Sequence, residues 1–419
     1  MAQEAPVIES TAPEERKYRS KRGRRLLVTA VILLIILLLI TSAFLLQLVR
    51  PQGGGESADT EGVIWIKSIY GFGPGEDQFI NPASAAIEAG GGTFWLSDQG
   101  RFRMVRFDEN ARFLDLFDGD RANGDSFDYP SRIAIAPDGW RYVVQSTYNN
   151  VKVYDEEGVL QQTLEVPNPS SVAVNDDMVV IGAQSGFVAF DREGQLIGFV
   201  GERGYDEDQF DTINGVALDE ESNTYIIDSF NNRISKYDRE GEQLWMVETG
   251  PPSNRAGANM GGSDTDAQRE KYPAMMQLPM GATIDGAGRL IVVDMLDFSI
   301  AAFDPEDGTF LGKWGTYGRE DGQFAYPADI DYDDTLDWFI VSDSGNERAQ
   351  IIRLPDSGGN AQTAVRRLLA GPLRACCFPF ILLVIMVISW FLLRNRKKKR
   401  EMVVIEEVQD EVPDSAEEA

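Results

Sequence analysis

The sequence predicts an all-β fold, a six-bladed β-propeller flanked by two transmembrane α-helices. The first observation is a pattern that recurs six times between Phe79 and Leu354. The second is that a complete copy holds four short apolar strands, which cannot bury both faces of their sheet without neighbouring copies. The third is that two long apolar runs flank the repeats, one on each side.

The repeat follows the same order in every copy. An apolar strand comes first, a second strand closes on Asp-Ser in the best copies, and an Asn-rich turn follows. A third strand then ends on an aromatic-Asp pair in five of the six copies. Period-two apolar alternation between Gly, Asn and Asp turns predicts strands. The first strands begin at the anchors Pro82, Pro130, Pro169, Ile213, Pro279 and Pro327.

The ends of the repeat array predict how the ring closes. Five copies have a fourth strand, but after Leu354 the sixth copy has none. The segment 63–70, VIWIKSIY, alternates as a strand should and leads into GFGPGEDQF, which matches GTYGREDGQF before the sixth copy. We therefore predict that 63–70 is the outer strand of blade six and that the propeller spans 63–355.

The copies resemble NHL repeats, the blades of six-bladed propellers found in sensor, scaffold and a few enzymatic proteins. Copies three, four and five match best. Gln145 and Ala183 stand where other copies have Asp, so family residues do not carry over at those two places. The resemblance implies a rigid disc with variable loops, which can serve binding as readily as catalysis.

The apolar runs 26–49 and 375–393 contain 24 and 19 residues. Each is long enough to cross the ~30 Å hydrocarbon layer as a helix. The alternative for the first run is a cleaved signal peptide, but its apolar stretch is longer than such peptides need. The alternative for the second is a buried core helix, which its lipid-like composition disfavours.

Basic residues predict the orientation of these helices. The segment 1–25 before the first span and the start of 394–419 after the second are rich in Lys and Arg, which favour the cytoplasm. Three basic residues lie on the opposite side of the second span, before it, but six lie after it. The three are Arg366, Arg367 and Arg374. We expect a plasma-membrane protein with both termini cytoplasmic, an extracytoplasmic propeller, and linkers at 50–62 and 356–374. The acidic end of the C-terminal tail should be disordered.

Charge and composition exclude several functions. The chain carries a net charge of −28, and residues 51–365 hold 55 acidic against 22 basic side chains. Nucleic acid is therefore excluded as a partner, because phosphates need a positive surface, whereas cations and basic partners are attracted. The chain has no histidine, which excludes His-dependent triads and His-ligated zinc. A calcium ion is possible, since related lactonase-like propellers hold one through Asp, Asn and Glu.

Topology places the candidate ligand or partner residues on one face. The turn between strands two and three and the connection from strand four to the next blade emerge on the same side, because antiparallel strands alternate in direction. Asp and Asn at such strand ends also satisfy turn backbone groups, so both roles stay open. The candidates at this face are Asp98, Tyr148, Asn149, Asp228, Asn231, Asp294, Asp297, Asp343 and Asn346.

An insertion at 249–277 separates blades four and five. Loops this long in compact domains are usually functional or disordered. Met260, Tyr272, Met275 and Met276 would give it adaptable apolar contacts for a partner. A tolerated disordered insertion is the alternative.

Together these features predict a membrane-anchored, non-enzymatic scaffold or sensor that binds a protein or a small cationic ligand. One alternative is a calcium-dependent lactonase or esterase, which would require three or four carboxylates or amides from different blades in one coordination shell. Another is an accessory subunit of a membrane transport or secretion assembly.

Overall fold

A computed structural model describes residues 62–251 and 270–358, in which six four-stranded antiparallel sheets are arranged as the blades of a propeller. Blade one consists of β2 (Pro82–Ile87), β3 (Phe94–Asp98), β4 (Arg103–Phe107) and β5 (Phe113–Phe117). Blade two consists of β6 (Arg132–Ile135), β7 (Arg141–Gln145), β8 (Asn150–Tyr154) and β9 (Leu160–Glu165), and blade three of β10 (Pro169–Val174), β11 (Met178–Ala183), β12 (Gly186–Asp191) and β13 (Leu196–Val200).

The remaining three blades follow the same plan. Blade four consists of β16 (Ile213–Leu218), β17 (Thr224–Asp228), β18 (Arg233–Tyr237) and β19 (Gln243–Glu248), after a short parallel pair, β14 (Glu202–Arg203) and β15 (Gln209–Phe210). Blade five consists of β20 (Pro279–Ile284), β21 (Leu290–Asp294), β22 (Ser299–Phe303) and β23 (Phe310–Trp314). Blade six consists of β24 (Pro327–Asp333), β25 (Trp338–Asp343), β26 (Arg348–Arg353) and β1 (Ile64–Ile69). Short 3₁₀ turns lie at Gly75–Asp77, Gln99–Arg101, Arg121–Asn123, Ser146–Tyr148 and Ser344–Asn346.

The outer strand of blade six comes from the other end of the domain. β1 pairs antiparallel with β26, with Ile64 opposite Arg353 and Ile69 opposite Ala349. The predicted all-β six-bladed propeller is confirmed. Because one sheet contains strands from both ends of the domain, the ring is joined by backbone hydrogen bonds rather than by contact alone.

The hydrophobic core lies between neighbouring blades. Phe94 and Phe107 of blade one pack with Trp338 and Ile340 of blade six, and the other interfaces are filled in the same way. Each sheet therefore buries its apolar faces against its two neighbours, which is why a single copy of the repeat could not fold alone.

Serine side chains connect blades two, four and six to the blade that follows each of them. The hydroxyls of Ser146 and Ser229 donate to the carbonyl oxygens of Pro169 and Pro279, at 2.8 and 2.5 Å, and each acceptor is the first residue of the following blade. Ser344 makes the same bond to Pro82 across the ring closure. The Ser of the repeated Asp-Ser motif is thus an interblade contact.

Both predicted membrane spans, 26–49 and 375–393, lie outside the described residues. Within 62–251 and 270–358, no helix is both long enough and apolar enough to cross a membrane.

Packing of the closing strand predicts unequal effects of two isoleucine truncations. Ile69 is 4% exposed in the core between blades six and one, whereas Ile64 in the same strand is 48% exposed. Ile69→Ala should lower the free energy of unfolding by about 2–4 kcal/mol, because it leaves a cavity. Ile64→Ala should lower it by less than about 1 kcal/mol. Guanidinium unfolding of the full chain, followed by tryptophan fluorescence, measures both, and equally small effects would contradict the packing of β1.

Candidate functional site

The four predicted aspartates at the ends of second strands are buried. Asp98, Asp228, Asp294 and Asp343 are at most 1% exposed. Each carboxylate accepts a backbone N–H two residues before the anchor of its own blade, from Ile80, Asp211, Gln277 and Ala325, at 2.8, 3.0, 2.7 and 2.7 Å. These carboxylates hold the chain as it enters each blade.

Arginine completes this arrangement in three blades. The side chains of Arg103, Arg233 and Arg348 donate to Asp98, Asp228 and Asp343 at 2.8, 2.9 and 2.8 Å. Each arginine opens the third strand directly opposite its aspartate. Arg348 also donates to the carbonyl oxygens of Glu320 and Gln323, both at 2.9 Å, so it fixes the incoming loop as well. We call these pairs the Asp–Arg latches.

Blades two and three show what the aspartate does, because they lack it. In blade two Gln145 lies opposite Asn150 in the same register, and its side-chain oxygen accepts the N–H of Asp128 at 3.0 Å. In blade three Ala183 offers no acceptor, but the corresponding donor position is Pro167, which has no N–H. The side-chain acceptor is thus missing in the blade that also lacks the backbone N–H donor. This is expected if the role of the strand-end aspartate is to accept a hydrogen bond from that N–H.

The amides and the fifth aspartate among the candidates also have protein partners. Asn231 donates to Asp228 at 2.7 Å and Asn346 to Asp343 at 2.8 Å. Asp297 accepts from Lys313 at 2.7 Å.

The other two candidates at strand ends are exposed. Asn149 accepts the backbone N–H of Asn168 at 2.9 Å. Tyr148 is solvent-exposed, and the negative charge of Asp128 raises the pKa of its hydroxyl. Of the candidates outside the insertion, Tyr148 is thus the one that offers a large exposed surface.

The insertion contributes to the core where the structure describes it. Tyr272 and Met276 are buried, and Met276 belongs to the cluster between blades four and five. Met275 is partly buried, and its carbonyl oxygen accepts from Lys313 at 2.7 Å. Met260 lies outside the described residues.

Aromatic side chains lie on the face that carries the strand 2→3 turns and the connections between blades, which we call the loop face. Phe102, Tyr129 and Tyr326 are 44, 45 and 47% exposed. These three residues and the partly buried Phe298 have left-handed backbones, with φ of 54–64°. Phe102 pairs with Tyr129 of the next blade at 6.2 Å, and Phe298 pairs with Tyr326 in the same relative position at 5.5 Å.

Other blades have non-aromatic residues at these positions, mostly asparagine, with Thr212 in blade four and Glu347 in blade six. Asn149 and Asn232 occupy the left-handed position after the strand 2→3 turn, and Asn81 and Asn168 occupy the one before the inner strand. Asparagine tolerates this conformation better than an aromatic residue does. The turns themselves therefore do not require the aromatic side chains.

A cavity of about 430 Å³ opens at the centre of the loop face, and a second cavity of about 370 Å³ is lined by the inner strands of all six blades. Arg132 and Asn214 line both. Arg132 is buried and donates to the carbonyl oxygens of Ala83 at 2.7 Å and Ala328 at 2.9 Å. Arg132 thus stands between the two cavities and binds blades one and six to blade two.

Three aspartates of the inner strand of blade six face blade one. Asp329, Asp331 and Asp333 accept the backbone N–H groups of Ala85, Ile87 and Gly92 at 3.3, 2.8 and 2.5 Å. We call these three residues the aspartate ladder. It supplies acceptors to the inner strand of blade one and to the turn that follows this strand.

Asp331 has an altered acidity. Burial raises its pKa from 3.8 to about 6, against the lowering effect of hydrogen bonds from Ile87, Tyr332 and the Thr283 hydroxyl, the last at 3.0 Å. Burial also raises the pKa of Asp329, and the positive charge of Arg132 opposes this rise. Within the described ranges, no group of three or more Asp, Glu, Cys or His side chains is placed to hold a metal ion.

Sequence reasoning missed the arginines, the ladder and the left-handed aromatics. The arginines had a signal, since each follows its aspartate by five residues in three copies. The aspartate ladder also had a sequence signal, because the segment DIDYD at 329–333 alternates acidic and apolar residues in a predicted inner strand. The aromatics had none, because a left-handed backbone cannot be read from residue type.

No protein-family model matches the chain. NHL repeat-containing protein 3 from Homo sapiens and from Mus musculus are each 26% identical over 176 residues, which is 41% of this chain and 44% of each relative. The chain has NHL-repeat relatives. The matched stretch spans less than half of those proteins.

Solved structures with a similar fold include several enzymes. A gluconolactonase from Xanthomonas campestris aligns with a TM-score of 0.49 and 13% identity, over 71% of this chain and 91% of its own. Virginiamycin B lyase from Staphylococcus aureus aligns with a TM-score of 0.44 and 10% identity, over 66% and 96%. Similarity at this level supports no inference about activity.

The raised pKa of Asp331 predicts a pH-dependent stability difference between the protein and its Asp331→Asn variant. A carboxyl with a folded-state pKa near 6 and an unfolded value near 3.8 contributes stability below about pH 4, which is lost as the pH rises through 6. Asparagine does not titrate. The free energy of unfolding of the variant, minus that of the unmodified protein, should therefore increase by on the order of 1–3 kcal/mol when the pH is raised from 4.5 to 7.5. Denaturation midpoints at the two pH values measure this change. A difference that stays constant with pH would contradict it.

Proposed function

We propose that this protein is a non-enzymatic scaffold that binds a partner through the loop face of an extracytoplasmic propeller, anchored in the plasma membrane by the predicted helices 26–49 and 375–393. The observation that carries the proposal is the set of left-handed aromatic residues on that face.

These residues reduce stability without serving the turns. A left-handed backbone costs about 1–2 kcal/mol for a residue with a side chain, and less for asparagine. Tyr129 and Tyr326 accept this cost while leaving nearly half of their surface in water. Large, rigid aromatic side chains with a polar end are typical of protein interfaces. Binding a partner would account for both the strain and the exposure.

The loops around the aromatics suit a basic partner. Glu76, Glu207 and Glu320 are exposed in the connections that lead into blades one, four and six. Asp and Glu outnumber Lys and Arg by 55 to 22 in residues 51–365, so the field attracts positive charge. A basic protein segment or a small cationic ligand fits this surface.

The geometry gives less support to catalysis. The buried strand-end aspartates are already bound by backbone N–H groups and, in three blades, by arginine. Arg132 occupies the channel between the two cavities. The candidate carboxylates are therefore committed to the fold, which favours a binding function.

Asparagine substitution should separate binding from stability. The double variant Tyr129→Asn, Tyr326→Asn adopts the residue that other blades use, so it should melt no lower than the unmodified protein, and its unfolding free energy should rise by up to about 1–2 kcal/mol per site. It should also lose the partner, because the exposed aromatic surface is gone. Proximity labelling and pull-down of the full-length protein from its native membrane, together with thermal unfolding, measure both effects.

The matched control is Leu244→Asn, which removes an exposed apolar side chain from the outer strand of blade four. It should keep the partner. Recovery of the same proteins with all three forms would overturn a binding role for the aromatic loop face.

A further inference from the structure

The cavity of about 430 Å³ at the centre of the loop face differs in charge from the domain around it. Among the described residues that line it there is no aspartate or glutamate, and Arg132 is the one charged residue. Acidic side chains outnumber basic ones by 55 to 22 in residues 51–365, so this lining departs from the surrounding composition. The cavity therefore suits a negative ligand better than the rest of the loop face does.

Arg132 has hydrogen-bonding capacity that the described protein does not use. A guanidinium carries five N–H groups. Nη1 donates to the carbonyl oxygens of Ala83 and Ser131, at 2.7 and 3.3 Å, and Nη2 donates to that of Ala328 at 2.9 Å. Nε is buried and has no hydrogen-bond partner in the described part of the chain. The Nε–H and one Nη2–H therefore remain, on neighbouring nitrogens of one planar group.

These two N–H groups require an acceptor. Arg132 is 8% exposed, and a buried donor without a partner lowers stability. N–H groups on neighbouring guanidinium nitrogens match the two oxygens of a carboxylate. A carboxylate also suits this domain better than a phosphate dianion, which the surrounding acidic side chains would repel more strongly. The unused edge of Arg132 thus predicts a ligand with one carboxylate.

Asp329 does not supply that carboxylate. The positive charge of Arg132 acts on Asp329, but Asp329 lines the inner cavity of about 370 Å³. Its carboxylate already accepts from the hydroxyl of Ser84 and the N–H of Ala85. Asp329 therefore offsets part of the charge of Arg132 from the inner side and leaves the loop-face cavity without an acid.

The other lining residues offer hydrogen-bond acceptors and apolar surface. Ser146, Ser170 and Ser344 each donate the hydroxyl proton to the carbonyl oxygen of the residue that opens the next blade. Each serine oxygen keeps lone pairs that can accept from a ligand hydroxyl. Met280 and Met295, both from blade five, supply adaptable apolar contacts. A fitting ligand therefore has a hydroxyl and apolar carbon beside its carboxylate.

Asn214 is placed to act together with Arg132. It belongs to β16, the inner strand of blade four, and it lines both cavities as Arg132 does. Its side-chain amide has no hydrogen-bond partner among the described residues. An amide N–H can donate to a carboxylate, whereas an acid at the same place would repel one.

We propose that the cavity at the centre of the loop face binds a small hydroxycarboxylate, whose carboxylate accepts from Nε and Nη2 of Arg132. The amide of Asn214 donates to the same carboxylate, the ligand hydroxyl donates to a serine oxygen, and its apolar part packs against Met280 and Met295. The cavity is within the size range of small-molecule sites. This ligand is distinct from the basic partner proposed for the aromatic residues.

Saturation-transfer NMR of the full chain in nonionic detergent tests the ligand chemistry, with detergent alone as the blank. The probes are lactate and mandelate, which carry a carboxylate, a hydroxyl and apolar groups of two sizes. Both should receive saturation, and mandelate should bind with a dissociation constant near or below about 1 mM. Mandelamide has the same shape without the charge and should bind at least about tenfold more weakly. Phenylacetate lacks the hydroxyl and should bind several-fold more weakly.

A substitution that keeps side-chain size tests the location. Asn214→Asp places a negative charge beside the proposed carboxylate, so it should weaken mandelate binding by at least about tenfold. The matched control, Asn110→Asp, adds the same charge in an exposed turn on the opposite face and should change binding by less than about twofold.

A second variant tests Arg132 itself. Arg132→Lys keeps the positive charge but loses the paired N–H groups, so it should also weaken mandelate binding. Arg132 joins three blades, so thermal unfolding must first show that this variant is folded. The comparison of Asn214→Asp with Asn110→Asp does not depend on that result.

Three results would overturn the proposal. These are no saturation of lactate or mandelate at about 10 mM, equal affinities for mandelate and mandelamide, and equal mandelate binding by Asn214→Asp and Asn110→Asp. Every variant used here keeps the aromatic residues of the loop face. Failure of this inference would therefore leave the proposed partner binding untouched, and loss of partner binding would leave this site untouched.

Discussion

The closure of the ring at blade six is the constraint on which the rest of the structure depends. A radial array of sheets has a first and a last blade, and their open faces would be as apolar as the core. Here the outer strand of blade six comes from the N-terminal end of the domain, and its inner strand reaches blade one through the aspartate ladder. Ser344 adds a bond from blade six to blade one, and Arg132 adds one from blade two to blade six. The β1–β26 pairing joins the two ends of the domain, and the other three contacts fasten the closed blade to its neighbours.

Two kinds of residue lie at the strand ends, those that stabilise the fold and those that remain exposed to solvent. The Asp–Arg latches and the interblade serines satisfy backbone groups and recur because nearly every blade has the same groups to satisfy. The aromatics at Phe102, Tyr129 and Tyr326 stand where other blades have Asn, Thr or Glu, and they leave apolar surface in water. Residues that break the repeat pattern at some cost in stability indicate function better than residues that recur because the fold needs them.

This distinction explains what the sequence could and could not predict. The blade count follows from repeats, because a periodic signal is a property of residue order. The candidate site was harder, since Asp98 and Asp343 recur like ligands around a ring but are buried partners of backbone and arginine. Burial of Tyr272 and Met276 likewise depends on the fold of the insertion. Side-chain exposure and a positive φ arise from three-dimensional packing, which residue types alone do not determine.

Native-state hydrogen exchange of the full-length protein tests ring closure most directly. If β1 is an integral strand of blade six, the amides of Ile64–Ile69 that bond to β26 should exchange as slowly as those of Arg348–Arg353, and only through unfolding of the whole propeller. If instead those amides exchange at the rate of an unstructured peptide while β26 stays protected, the closure described here is wrong.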